Sequence, residues 1–102
     1  MKVFMDYRDR AVRLTDSRKL HIVQDDDPDI WVQTIGDALQ QPDDVKEDFH
    51  HPEVRMFYRI YTKKAQQNQG FHVVVKVRGY DMIVVTAFLA RGMSWGGTGW
   101  TN

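Results

Sequence analysis

The chain predicts an α+β domain: N-terminal helices packed on an antiparallel β-sheet meander. Two observations carry that prediction. Three consecutive runs, Arg55–Tyr61, Phe71–Arg78 and Met82–Leu89, are rich in β-branched and aromatic residues and bounded by turn residues. Ahead of them lie two stretches with helix-start residues and, in the second, apolar residues at helical spacing. A length of 102 residues allows one domain with one modest core. No internal repeat or boundary divides it, so 1–102 is read as a single domain. Its core covers about residues 10–95, and a Gly- and Trp-rich tail covers 90–102.

Taken in order, Lys2 to Asp6 and Arg10 to Leu14 read as a small hairpin around Tyr7-Arg8-Asp9. Thr15-Asp16-Ser17 offers a helix N-cap, with Asp16 near the positive end of the helix dipole. Asp25-Asp26-Asp27-Pro28 stops that helix, because the residue before proline avoids the helical region. The three aspartates read as a solvated loop, since their spacing lacks the alternating ligands and later glutamate of a calcium-binding loop. Pro28 and Asp29 suit the first turn of a second helix. Ile30, Trp31, Ile35, Ala38 and Leu39 form its one-sided apolar stripe. Val45 to Phe49 reads as extended, and His50-His51-Pro52-Glu53 as a turn. The polar link Thr62–Gly70 and the short link at Gly79 and Asp81 then join three strands that pair antiparallel.

Side chains alternate along strands. Phe71, Val73, Val75 and Val77 share one face of the second strand, and His72, Val74, Lys76 and Arg78 the other. The expectation is a core face and a second face collecting Arg55, Arg59, His72, Lys76 and Arg78, with Phe57 and Tyr61 adding stacking surfaces. Strict alternation groups Thr86 with Met82, Val84 and Phe88. Cations interleaved with aromatics are what nucleic-acid binders use.

Charge is unevenly spread. Residues 1–53 hold seven Lys/Arg against thirteen Asp/Glu, and residues 54–102 hold seven against one, Asp81. The formal net charge is zero, but asymmetry between halves points to a polyanionic partner or to attraction between the halves. The absence of cysteine removes a disulfide frame and a thiolate metal site. It fits a reducing, cytoplasmic location. No run is long enough to be read as a membrane span, so no membrane partner is expected.

Val12-Arg13-Leu14-Thr15-Asp16-Ser17-Arg18-Lys19-Leu20-His21-Ile22 resembles the R-L-T-x-x-R-x-x-H-I opening of the small phage and bacterial nuclease-like domains grouped with barnase, EndoU, colicin nucleases and RelE. In the same order, 35–43 resembles the family's I-x-x-(A/T)-L-x-x-P-(D/E), and Arg55-Met56-Phe57-Tyr58-Arg59 its R-x-(Y/F)-Y-(R/K). The runs 73–76 and 84–88 are similar to its last two core strands. The resemblance implies a barnase/EndoU/RelE-like fold and metal-independent RNA cleavage, in which the 2′-hydroxyl attacks phosphorus. That chemistry needs a proton acceptor, a proton donor and cations for the phosphate charge. Carried over, His21 is the acid or base, Arg55 the phosphate clamp, Tyr58 a positioning hydroxyl, and Thr86 a phosphate or nucleophile contact. The face argument adds Arg59, Lys76, His72 and Arg78 as substrate-binding residues. Neither cofactor nor metal is implied. RNA is the expected partner, and a toxin or phage-borne effector would add an immunity or antitoxin protein. The alternative is an inactive binding or structural module of the same fold. Alternation sets Tyr58 opposite Arg55 unless a bulge intervenes.

Overall fold

The computed structural model describes residues 1–22, 28–47, 50–63 and 66–91. Strands β1 (Lys2–Met5) and β2 (Ala11–Leu14) precede helices α1 (Asp16–Ile22) and α2 (Pro28–Gln40). Then follow β3 (Asp44–Glu47), β4 (Val54–Lys63), β5 (Gln66–Arg78) and β6 (Asp81–Arg91). The chain is thus α+β, with a six-stranded sheet in the order β1-β2-β6-β5-β4-β3. The aspartate run 25–27 and the tail from residue 92 lie outside the described residues.

The expected meander is present as β4-β5-β6, antiparallel throughout. The sheet as a whole is mixed, which corrects the purely antiparallel expectation. β2 pairs with β6 in parallel, Arg13 opposite Ile83. The β1–β2 hairpin carries apolar Val12 and Leu14 on its inner side and would otherwise leave them exposed. In the fold both are completely buried, in one core with Ile35, Ala38 and Leu39 of α2 and Val84 of β6. The polar link 62–70 is also shorter than expected, because the ladder extends to Lys63 opposite Gln66. Strand pairing uses backbone groups, so polar side chains do not forbid it.

α2 lies over the sheet, packing on β5, β1 and β4. Ile35, Ala38 and Leu39 are fully buried against Phe57, Phe71, Val73, Val75 and Val84, with Trp31 and Val32 partly buried beside them. Ile30, expected in this stripe, is instead 51% exposed. At the β1–β2 turn, the buried Asp6 carboxylate accepts the amides of Arg8 and Arg10 (2.9 and 2.8 Å) and Nε of Arg10 (2.9 Å). These three bonds to the carboxylate all come from residues within four positions of Asp6, and a buried charge needs that many partners. The Tyr7 amide donates to the Leu39 carbonyl (2.9 Å) and ties the hairpin to the end of α2. The β5–β6 turn is a two-residue loop, Gly79-Tyr80. Gly79 takes φ 59°, the positive value that a II′-type turn needs at its first central position.

One irregularity matters for the site. Between β5 and β6, Val75 faces Val84 while Val74 faces Thr86, so Val85 is an extra residue. This bulge moves Thr86 off the face of Met82 and Val84, correcting the strict-alternation grouping.

Candidate functional site

Cross-strand pairs lie on the same face, so the register assigns every candidate to a side. Arg55 pairs with Val75, and Arg59 with Phe71; both partners are core residues under α2. The two arginines therefore stand on the helix-covered face, not with His72, Lys76 and Arg78 as expected. Arg59 donates through Nη1 to the Gln41 carbonyl just past α2 (2.8 Å), a use of arginine at a helix C-terminus. Arg55 Nε is buried and has no hydrogen-bond acceptor among the described residues.

The opposite face is built in rows. Tyr58, His72 and Phe88 form one, and Met56, Val74 and Thr86 the next. Val54, Lys76 and Ile83 follow, and Arg78 with Asp81 closes the series. In the first row the His72 ring stacks on Phe88 (centroids 4.9 Å apart, interplanar angle 6°) and meets Tyr58 edge-on (4.9 Å). His72 is fully buried, so it does not stand on an open surface as the face argument expected. Its Nδ1 lies 3.2 Å from the Gly70 carbonyl, which can only accept, so that nitrogen carries the hydrogen. Burial pushes the His72 pKa down. Tyr58 is also buried, and burial, then the nearby Asp43 carboxylate, pushes its phenol pKa up. Its ring lies across Gly70, where a Cβ would overlap it, so Tyr58 packs against the sheet. No bulge separates Arg55 from Tyr58, and they remain on opposite faces. Phe57 is completely buried in the core and offers no stacking surface; the Tyr61 side chain lies outside what is described.

Where the lower rows meet α1, the surface forms a groove of about 340 Å³. Arg18, Lys76 and Arg78 bring three cations to it, Thr15 and Ser17 two hydroxyls, and Ile83 and Val85 an apolar floor. Thr15 Oγ1 also accepts the Arg18 amide (3.2 Å), the N-cap that the sequence indicated. Asp81 is the carboxylate in the lining, and Arg13 occupies it from outside. Nε and Nη2 of Arg13 donate to its two oxygens at 2.9 and 2.8 Å. That contact holds the Asp81 carboxyl below the usual range and raises Arg13. Among the described residues, no ion pair involves Arg18, Lys76 or Arg78.

Of the expected catalytic residues, Thr86 stands on this face one row from Lys76, and half-buried. His21 is exposed on α1, three residues beyond Arg18, a spacing that puts the two on neighbouring positions of the helix surface. Arg55 and Tyr58 are not brought to them. Family models, curated proteins and solved structures return no match to this chain. Sequence reading had put Arg18 inside a motif without giving it a role, and had noted Asp81 as the lone acid of the second half and as part of the short link between the last two strands. Its pairing with Arg13 is set by the β2–β6 contact, which no local pattern announces. Among the described residues no three of His, Asp and Glu converge on a metal-sized site, and no helix is long and apolar enough to cross a membrane.

Proposed function

We propose that this protein is a ribonuclease-like domain that holds RNA phosphates in the groove between α1 and the β5–β6 hairpin. The observation that carries the reading is the groove itself: three cations, none in an ion pair among the described residues, line one concavity. Phosphodiesters are recognised by such donors, Arg by a planar fork and Lys as a point charge. His21, exposed on α1 one turn beyond Arg18, supplies an imidazole, the side chain general acid–base catalysis uses most often. In the proposed reaction the 2′-oxygen bonds to phosphorus as the P–O5′ bond breaks. One group removes the hydroxyl proton and another protonates the leaving oxygen, and Arg18, Lys76 and Arg78 offset the charge on the phosphate oxygens. The barnase/EndoU/RelE-like fold belongs to the same proposal. A second reading keeps the groove but removes the chemistry. It is favoured by the separation of Arg55 and Tyr58 from the groove, and makes the domain an RNA-binding module.

Total RNA incubated with the folded protein in chelator distinguishes them. Cleavage that His21→Ala abolishes, while RNA binding stays within about twofold, supports the nuclease. Binding without cleavage, weakened by Lys76→Ala and Arg78→Ala, supports the module. Neither binding nor cleavage would remove both.

A further inference from the structure

We propose that Arg13 is a positioning residue for the bound phosphate: by occupying Asp81 it keeps Arg78 available to the groove. The inference rests on the groove being the RNA site. Asp81 is the direct cross-strand neighbour of Arg78 across the two-residue turn. Opposite charges so placed attract one another. Arg78 contributes to holding the Asp81 carboxyl in its ionised form. Without another partner Asp81 would turn to Arg78 and cancel a groove cation. Arg13 prevents this with the two-pronged geometry that a carboxylate accepts best, filling both oxygens at once. The fork is aimed from β2, whose backbone is fixed beside Ile83 by the parallel pairing. The pair is half-exposed, with side-chain exposures of 35% and 48%, so it contributes little to stability. Its effect falls on the charge of the groove, which Arg13 itself does not line.

The test uses the full chain and a fluorescein-labelled 2′-O-methyl oligouridylate, which cannot be cleaved by 2′-attack, with anisotropy read across a salt series. Arg13→Gln is expected to weaken binding about fivefold, the upper end of what one solvent-exposed ion pair is worth. It should also flatten the log–log salt slope by about 0.7, as one phosphate contact is lost. Asp81→Asn should bind at least as tightly as the unchanged protein, and Arg13→Gln with Asp81→Asn should return both affinity and slope. Weakened binding by Asp81→Asn alone overturns the proposal even if Arg13→Gln fails to fold. So does an undiminished Arg13→Gln effect in the Asp81→Asn background. If Arg13→Gln binds normally while Lys76→Ala and Arg78→Ala bind weakly, the groove stands and the role of Arg13 falls. If Lys76→Ala and Arg78→Ala bind normally, the groove reading falls and takes this inference with it.

Discussion

His72 shows how a single position changes meaning once its neighbours are known. In sequence it alternates with Lys76 and Arg78 and looks like part of a binding face; in the fold it is sealed between Phe88 and Tyr58. A ring buried there resists a proton, so its folded pKa lies below the unfolded value of about 6.5. The unfolded chain then binds more protons than the native one as pH falls through that region. The contribution of His72 to stability is therefore complete above the unfolded pKa and declines below it. Urea unfolding measured between about pH 7.5 and about pH 5 should show stability falling toward acid. His72→Phe, which keeps a ring against Phe88, should show a shallower fall. Equal pH slopes in the two proteins would mean that His72 titrates as it does in the unfolded chain.

At the level of strands and helices, what was legible in the sequence was whatever local pattern fixes. The β1–β2 hairpin, both helices and the β4-β5-β6 meander follow from turn residues, caps and periodicity, and all are present. Registers and faces are set by partners and were less legible. The sequence reading grouped Arg55 and Arg59 with Lys76 because it had no register. Pairing with Val75 and Phe71 puts them under α2. Thr86 changes face because Val85 is an extra residue, and a bulge in a run of β-branched residues leaves no composition mark. The groove was half visible: Lys76 and Arg78 were named, but Arg18 reaches them only through the way α1 packs beside β6. The bulge makes its own prediction. Deleting Val85, the extra residue, leaves Val84 and Ala87 facing the core and Thr86 and Phe88 on the opposite face, because the six residues Met82, Ile83, Val84, Thr86, Ala87 and Phe88 then alternate without interruption. The deletion variant should therefore still unfold cooperatively on heating. Loss of the cooperative transition would show that the ladder needs the bulge itself and not only the faces it sets.

Across the whole molecule, the charge asymmetry survives folding. Among the described residues one ion pair joins residues 1–53 to residues 54–102, and it runs against the trend. The cation, Arg13, comes from the acidic half, and the carboxylate, Asp81, from the basic one. The other ion pairs there lie within the first half. Among the described residues Lys76 and Arg78 are thus without an ion-pair partner within the chain. Arg18, Lys76 and Arg78 together should give RNA binding a log–log salt slope of about −2, at about −0.7 per phosphate neutralised on a single strand. A flat dependence, measured with the same uncleavable oligonucleotide, would show that these cations make no phosphate contacts. The parallel seam between β2 and β6 bears on how the chain is made. Arg13 and Asp81 stand 68 positions apart, and ordering so long a span comes before any return from the contact. Within this sheet the β1–β2 hairpin is made first yet gains its strand neighbour β6 last, so the edge of β2 stays open until β6 has been made. The earliest-made piece of this sheet is the one that must wait, and for that interval it is the segment a chaperone would find.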